Sequence, residues 1–301
     1  MKKQIFIITV MLACVSCNSS RQVTTTSQTT LDKQGHRGSR GLMPENTIPA
    51  MLKAIDLDIT TLEMDVVISK DNKVVVSHDP YFNENITTTP EGKQLTKAEA
   101  AKRLLYTMPY DSIRKYDVGL KPHPDFPRQT KLAAYKPLLS ELIDAAEAHA
   151  KQKGKSMLYN IEIKSKPEND GKKHPAVSEF VDLAIAVIKS KEIAGRTTIQ
   201  SFDPRALQVM RQKYPDVITS LLIENNDKRS LDEQLQQLGF VPAVYSPHFS
   251  LVTPALMEQC RQKNMKVVPW TVNTLDEMRR LLTLKVDGII TDYPDLFQQL
   301  N

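Results

Sequence analysis

Tyr159-Asn160-Ile161-Glu162-Ile163-Lys164 is the stretch on which the reading of this chain turns. Its apolar residues mark a short strand, yet a carboxylate and an ammonium stand two apart within it, on one face. A strand buried in a parallel sheet is nearly all apolar, so a carboxylate placed there requires a compensating cation. Three further runs share the pattern: Gln34-Gly35-His36-Arg37-Gly38, Leu62-Glu63-Met64-Asp65-Val66 and Val74-Val75-Val76-Ser77-His78-Asp79. Each stops at, or just after, a charged or imidazole residue. The C-terminal ends of strands are where an α/β barrel gathers its active site.

Working outward, strand and helix patterns alternate. The spacing predicts helices over 48–57, 138–153, 175–191, 204–213, 231–238, 254–263 and 275–284, with a last short helix from Pro294. Strands are expected over 60–68, 74–78, 157–163, 198–200, 217–223, 243–246, 266–269 and 288–291. Asn46 or Thr47 would cap the first helix. About eight strand–helix units favour a closed (β/α)8 TIM barrel over an open doubly wound sheet. The G-x-G-x-x-G fingerprint of a dinucleotide site is absent. One segment breaks the alternation: residues 80–136, following the strand that carries His78, are rich in Pro, Tyr and Lys. A long insertion there should overhang the catalytic face and shape substrate choice.

Composition sets the frame. The chain has 301 residues, 41% hydrophobic and 25% charged, with a formal charge of +5. Lys2 and Lys3 precede an apolar run over 5–13, the pattern of an export signal and too short to span a bilayer. Ala13-Cys14 and Ser16-Cys17 follow, resembling a bacterial lipoprotein signal in which Cys17 (with Cys14 the alternative) becomes the lipidated first residue. That assigns 1–17 to the signal, 18–33 to a Ser/Thr/Gln-rich flexible tether and 34–301 to the barrel. The expected location is the cell envelope, with the membrane engaged through the N-terminal lipid anchor. Without the two signal lysines the charge is about +3, and no Lys/Arg run supports nucleic-acid binding. Beyond the signal only Cys260 remains, so no intramolecular disulfide staples the fold, and a helical Cys260 is a packing residue.

The charged residues suggest a hard metal ion served by an acid/base pair. Glu63 and Asp65, two apart, point to one side of their strand. With Glu162 they supply three oxygen donors, which suit Ca2+ or Mg2+ better than zinc. His36 and His78 would be the acid and base, since imidazole titrates near neutrality. The bland competitor is a buried salt-bridge network of the same acids with Arg37 and Lys164. His123, His174 and His248 lie in loops or near prolines and read as solvated.

His36-Arg37-Gly38, Pro44-Glu45-Asn46-Thr47, Glu63-Met64-Asp65, His78-Asp79, Glu162-Ile163-Lys164, Gln200-Ser201-Phe202-Asp203, Trp270-Thr271-Val272-Asn273 and Gly288-Ile289-Ile290-Thr291-Asp292-Tyr293-Pro294 occur in the order of the glycerophosphodiester phosphodiesterases. The chain resembles that family over residues 34–298. The resemblance implies a (β/α)8 barrel that hydrolyses glycerophosphodiesters to glycerol 3-phosphate and an alcohol with one divalent cation. It also implies Arg37 and Lys164 as phosphate clamps, Trp270 at the mouth of a glycerol or alcohol pocket, and Glu45 as metal ligand or supporting group. Asn273 and Asp292 are weaker pocket candidates. Two alternatives stand beside it: a phosphatidylinositol-type phospholipase C, which needs an exposed apolar rim such as Tyr106, Tyr110, Tyr116 and Phe126 could form, and a non-catalytic lipoprotein that captures phosphorylated ligands.

Overall fold

The computed structural model describes residues 31–300. The proposed signal, Cys14, Cys17 and nearly all of the tether lie outside the described residues. Among the described residues nine strands and nine α-helices follow one another: β1 (Asp32–Gly35), α1 (Ile48–Asp56), β2 (Thr61–Ile68), β3 (Val74–Val76), α2 (Lys97–Lys102), α3 (Tyr110–Ile113), α4 (Leu139–Gln152), β4 (Leu158–Ile163), α5 (Val177–Ser190), β5 (Thr197–Ser201), α6 (Pro204–Lys213), β6 (Ile218–Ile223), α7 (Leu231–Leu238), β7 (Val244–Pro247), α8 (Pro254–Gln262), β8 (Lys266–Val267), α9 (Leu275–Thr283) and β9 (Gly288–Thr291). A 3-10 turn over Pro294–Gln299 ends the chain's described part.

Eight strands run parallel in the order β8-β7-β6-β5-β4-β2-β1-β9. Backbone bonds from Asp287 N to Val267 O (2.9 Å) and from Ile290 N to Pro269 O (3.0 Å) join β9 to the β8 segment, so the ring closes. The barrel expected from the alternation is the fold observed. One member differs from expectation: β3 is not a barrel strand. It runs antiparallel to β2, with Val66 opposite Val76 and Ile68 opposite Val74. Asn72, at φ 57°, makes the turn, and only two adjacent antiparallel strands can be joined by a link this short.

The helices cover the ring because their apolar residues recur on one face. Along α5, Phe180, Val181, Ala184, Ile185 and Ile188 are buried, the i, i+4, i+8 stripe of a helix lying on a sheet. Local signals set the ends. Thr47 caps α1, Ser230 and Glu233 form a capping box on α7, and Gly239 closes α7 in the left-handed conformation. Cys260 is fully buried in the barrel's outer core.

The insertion between β3 and α4 has its own small core. Phe82, Leu95, Ala100, Leu105, Tyr110 and Ile113 pack with Val67 and Val75 from the hairpin. Its far end returns to the first barrel loop: Gln129 Nε2 donates to Arg40 O (2.8 Å) and Thr130 N to Leu42 O (2.8 Å). Among the described residues no helix is long and apolar enough to cross a membrane.

Candidate active site

Strand register places the charges. Asp65 on β2 pairs with Glu162 on β4, and Glu162 in turn with Gln200 on β5. Side chains two apart face the same way, so Glu63, Asp65 and Glu162 converge at the C-terminal end of the barrel. One carboxylate oxygen from each lies within 4.8 Å of the others, and all three residues are buried. Beneath them a polar floor takes the place of an apolar layer. Asn160 Nδ2 donates to Gln34 Oε1 (2.8 Å) and Gln200 Oε1 (2.9 Å), while Gln200 Nε2 donates to Glu63 Oε1 (2.8 Å).

The loop after β1 bends back over this cluster. Arg37 N donates to Glu63 Oε2 (2.7 Å), its guanidinium donates to Glu45 Oε1 (2.9 Å), and its Nε stands 3.3 Å from Asp65 Oδ2. Asn46 Nδ2 donates to the same Asp65 oxygen (2.8 Å). Arg37 and Asn46 sit at positive φ, 50° and 56°, a cost retained where the surrounding contacts over-determine the backbone. Glu45 is buried between Arg37 and Arg40 (2.9 and 2.5 Å) and does not line the cavity, so its contacts are those of a supporting group.

The acids do not share one protonation behaviour. Burial, and then the charge of Asp65, push the Glu63 carboxyl well above its ordinary range. Burial pushes Glu162 up to about 7, opposed by Lys164 at 2.7 Å. Asp65 goes the other way: Lys164 and Arg37 outweigh its burial and hold it low.

Both candidate histidines reach this place, His36 from the loop after β1 and His78 from the segment after β3, and each has Nδ1 engaged. His36 Nδ1 donates to Asp292 Oδ1 (2.6 Å), whose other oxygen accepts from Asn273 Nδ2 (2.7 Å). His78 Nδ1 donates to Asp79 Oδ1 (3.0 Å), with Asn83 Nδ2 on the second oxygen (2.8 Å). Each ring is thereby held with Nε2 as the exchanging nitrogen. Burial lowers both histidine pKa values. Asp292 pulls His36 back up, whereas Arg37 and Lys164 depress His78 further.

A cavity of about 610 Å³ opens here, lined by His36, Arg37, Glu63, His78, Glu162 and Lys164. Trp270 is on its wall, as expected, with Nε1 donating to Ser246 O (2.9 Å) and its ring edge-to-face with Phe202 at 5.4 Å. Of the weaker candidates, Asp292 and Asn273 lie behind His36 rather than on the cavity wall. Pro80 and Tyr81 bring the start of the insertion to the rim.

The sequence profile of the glycerophosphoryl diester phosphodiesterase family matches residues 36–296. The chain belongs to that family. Among its relatives is the glycerophosphodiester phosphodiesterase of Caldanaerobacter subterraneus, 30% identical over 260 residues that cover 86% of this chain and 93% of the relative. A solved structure from Silicibacter pomeroyi, named a putative glycerophosphoryl diester phosphodiesterase, superposes with a TM-score of 0.81 at 32% identity, covering 91% of this chain and 93% of that one. An Oleispira antarctica phosphodiesterase, solved with its product sn-glycerol-3-phosphate, shares the fold at a TM-score of 0.69 and 21% identity over 89% and 96% of the two chains. As a member of the glycerophosphoryl diester phosphodiesterase family, the chain is a phosphodiester hydrolase.

The roles of three residues escaped sequence reading. Asp79, next to His78, and Asn83, from within the insertion, orient His78. Lys136, at the insertion's other end, is 5% exposed and has no carboxylate within 4 Å among the described residues; its Nζ donates to Ser77 Oγ (2.8 Å), which donates to Asp79 O (2.7 Å). Burial lowers its pKa. A lysine before a proline in a long loop looks solvated, and only the return of the loop under His78 buries it. Two of the histidines read as solvated are not. His174 is 1% exposed, donating from Nδ1 to Pro175 O (2.8 Å), and His123 is buried edge-on to Phe126 at 4.7 Å. His248 is half-buried at 5.6 Å from Trp270.

Proposed function

We propose that this chain hydrolyses glycerophosphodiesters to glycerol 3-phosphate and an alcohol, using a divalent cation held by Glu63, Asp65 and Glu162 and acid/base transfer by His36 and His78. The observation that carries the reading is the pair of imidazoles, each anchored by a carboxylate at Nδ1, on one cavity with the buried acids.

The donor set fits a hard cation. Asp65 Oδ1 is buried with no hydrogen-bond partner, and burial with mutual repulsion pushes the Glu63 and Glu162 carboxyls up, because Lys164 and Arg37 only partly balance three clustered carboxylates. Three oxygens with room for water and a phosphoryl oxygen are the chemistry of Ca2+ or Mg2+. Such an ion, when bound, would neutralise the phosphate and stabilise charge developing on it. Arg37 and Lys164 bring cationic groups to the same wall for the other phosphoryl oxygens. One imidazole takes at Nε2 the proton of the nucleophile, either water or the glycerol 2-hydroxyl whose cyclic phosphate water then opens, and the other delivers a proton to the departing alkoxide. Trp270 and Phe202 supply an apolar wall for the organic part of the ester.

The phospholipase alternative is less well supported. Tyr110 and Phe126 are buried and Tyr116 stacks on Phe82 at 3.9 Å, so these aromatics are committed to the insertion's own packing. Assay of tether-free protein with glycerophosphocholine tests the proposal. Glycerol 3-phosphate should form, chelator should abolish it, and H36A or H78A should each cost at least about 10²-fold in kcat. Chelator-resistant turnover, or full activity in both variants, defeats it.

We further propose that the enzyme is lipidated at Cys17 and tethered in the cell envelope, the support being Lys2, Lys3, the apolar run over 5–13 and Ser16-Cys17. C17A should abolish palmitate labelling, and label that survives C17A but not C14A moves the anchor to Cys14.

A further inference from the structure

The cavity is larger than its catalytic floor, and its cations fall into two kinds. Arg37 pairs with Glu45, and Lys164 with Glu162. Lys166 and Lys173 also line the cavity, yet among the described residues neither has a carboxylate within 4.0 Å. Both belong to the loop from β4 to α5, and that loop is built rather than loose. His174, almost fully buried, accepts from Lys166 N at Nε2 (3.1 Å) and donates from Nδ1 to Pro175 O (2.8 Å). Ser165 Oγ donates to Asp203 Oδ2 (2.9 Å), and Arg205 clamps Asp170 at 2.8 and 3.1 Å. Asn169, between the lysines, lines the cavity as well. The segments after β5, β6 and β8 add one acid to the lining, Glu224, beside Leu222, Phe202 and Trp270. Trp270 is already enclosed edge-to-face by Phe202 and His248, which leaves it poorly placed to cradle a quaternary ammonium.

Two unneutralised ammonium groups held on one wall of a concave site favour a ligand that brings negative charge to them. The phosphodiester's single charge would be served by Arg37, Lys164 and the cation that the acid cluster would hold. We infer that Lys166, Asn169 and Lys173 form a second anion subsite, and that the preferred substrate is a glycerophosphodiester whose alcohol carries an anionic group of its own. This inference rests on the phosphodiesterase reading of the floor.

The test compares glycerophosphoinositol with glycerophosphoinositol 4-phosphate, which differ by one phosphomonoester, and uses glycerophosphocholine as the basal substrate. The 4-phosphate should show a kcat/KM about tenfold higher, the worth of two ion pairs together, one to the exposed Lys166 and one to the half-buried Lys173, and the advantage should shrink with added salt. K166M/K173M should erase that advantage while leaving glycerophosphocholine turnover within about twofold, because neither lysine touches the catalytic floor. Equal rates for the inositol pair, or a preference that survives in the double variant, overturn the subsite. Absence of turnover on every diester overturns the phosphodiesterase reading instead.

Discussion

Asp292→Asn is the sharpest test of the site, because the hydrogen-bond geometry forces its outcome. Asn273 cannot turn: its Oδ1 accepts from Asp292 N (3.0 Å), so its Nδ2 must face the Asp292 side chain (2.7 Å). An asparagine at 292 therefore has to direct its carbonyl oxygen to Asn273 and its NH2 to His36. Nδ1 of His36, now facing a donor, can only accept, and the ring's proton moves to Nε2. The tautomer is inverted at the nitrogen that faces the cavity. If His36 is the base, Nε2 can no longer take a proton; if it is the acid, the imidazolium loses its counter-charge. Either way the full acid/base contribution of one residue is lost, about 10²–10⁴-fold in kcat, or about 3–5 kcal/mol of barrier. The shape barely changes, so KM and the circular dichroism spectrum should stay near wild type. Steady-state release of glycerol 3-phosphate from glycerophosphocholine provides the assay. A folded Asp292→Asn protein with kcat within about threefold of wild type would refute the reasoning.

Other consequences follow from the same contacts. Because Glu63 and Glu162 lie above the ordinary carboxylate range, a divalent cation must displace protons. Affinity for Mg2+ or Ca2+ should thus rise about tenfold per pH unit below the Glu162 value of about 7 for each proton displaced, and level off above the two pKa values. Titration calorimetry in buffers of different ionisation enthalpy reads the released protons, and a buffer-independent heat speaks against it. Lys136→Met removes a buried cation with no carboxylate within 4 Å among the described residues and should leave stability unchanged or raised by about 1 kcal/mol. The same variant should lower kcat about tenfold as the Ser77–Asp79 support of His78 loosens; unchanged kcat would make Lys136 a packing residue only. Gly38→Ala should cost about 2–5 kcal/mol in urea unfolding, since φ is +85° and the new Cβ would lie 2.6 Å from the Ala50 carbonyl carbon. A loss below about 1 kcal/mol would show that the loop relaxes freely.

Particular residues show where sequence reading stops. Glu162 and Lys164 could be placed on one face of one strand, because a strand's side-chain period is two and needs no partner to define it. The direction of β3 could not, since three valines read alike in a parallel and an antiparallel strand. His174 and His123 looked solvated because a prolonged polar loop gives no periodicity from which burial can be read. Asp292 lies 256 residues from His36, and nothing local announces that the two meet at 2.6 Å.

The order of apolar runs, the charges at their ends and the caps of the helices are properties of short segments, and they pointed to the barrel and to the candidate residues at its mouth. Closing the ring was a different matter. Only the joining of β9 to β1 and β8 set Asp292 against His36, and only the return of the insertion buried Lys136 behind His78. Such pairings depend on chain ends brought together across hundreds of residues, and their energy is visible in no segment taken alone.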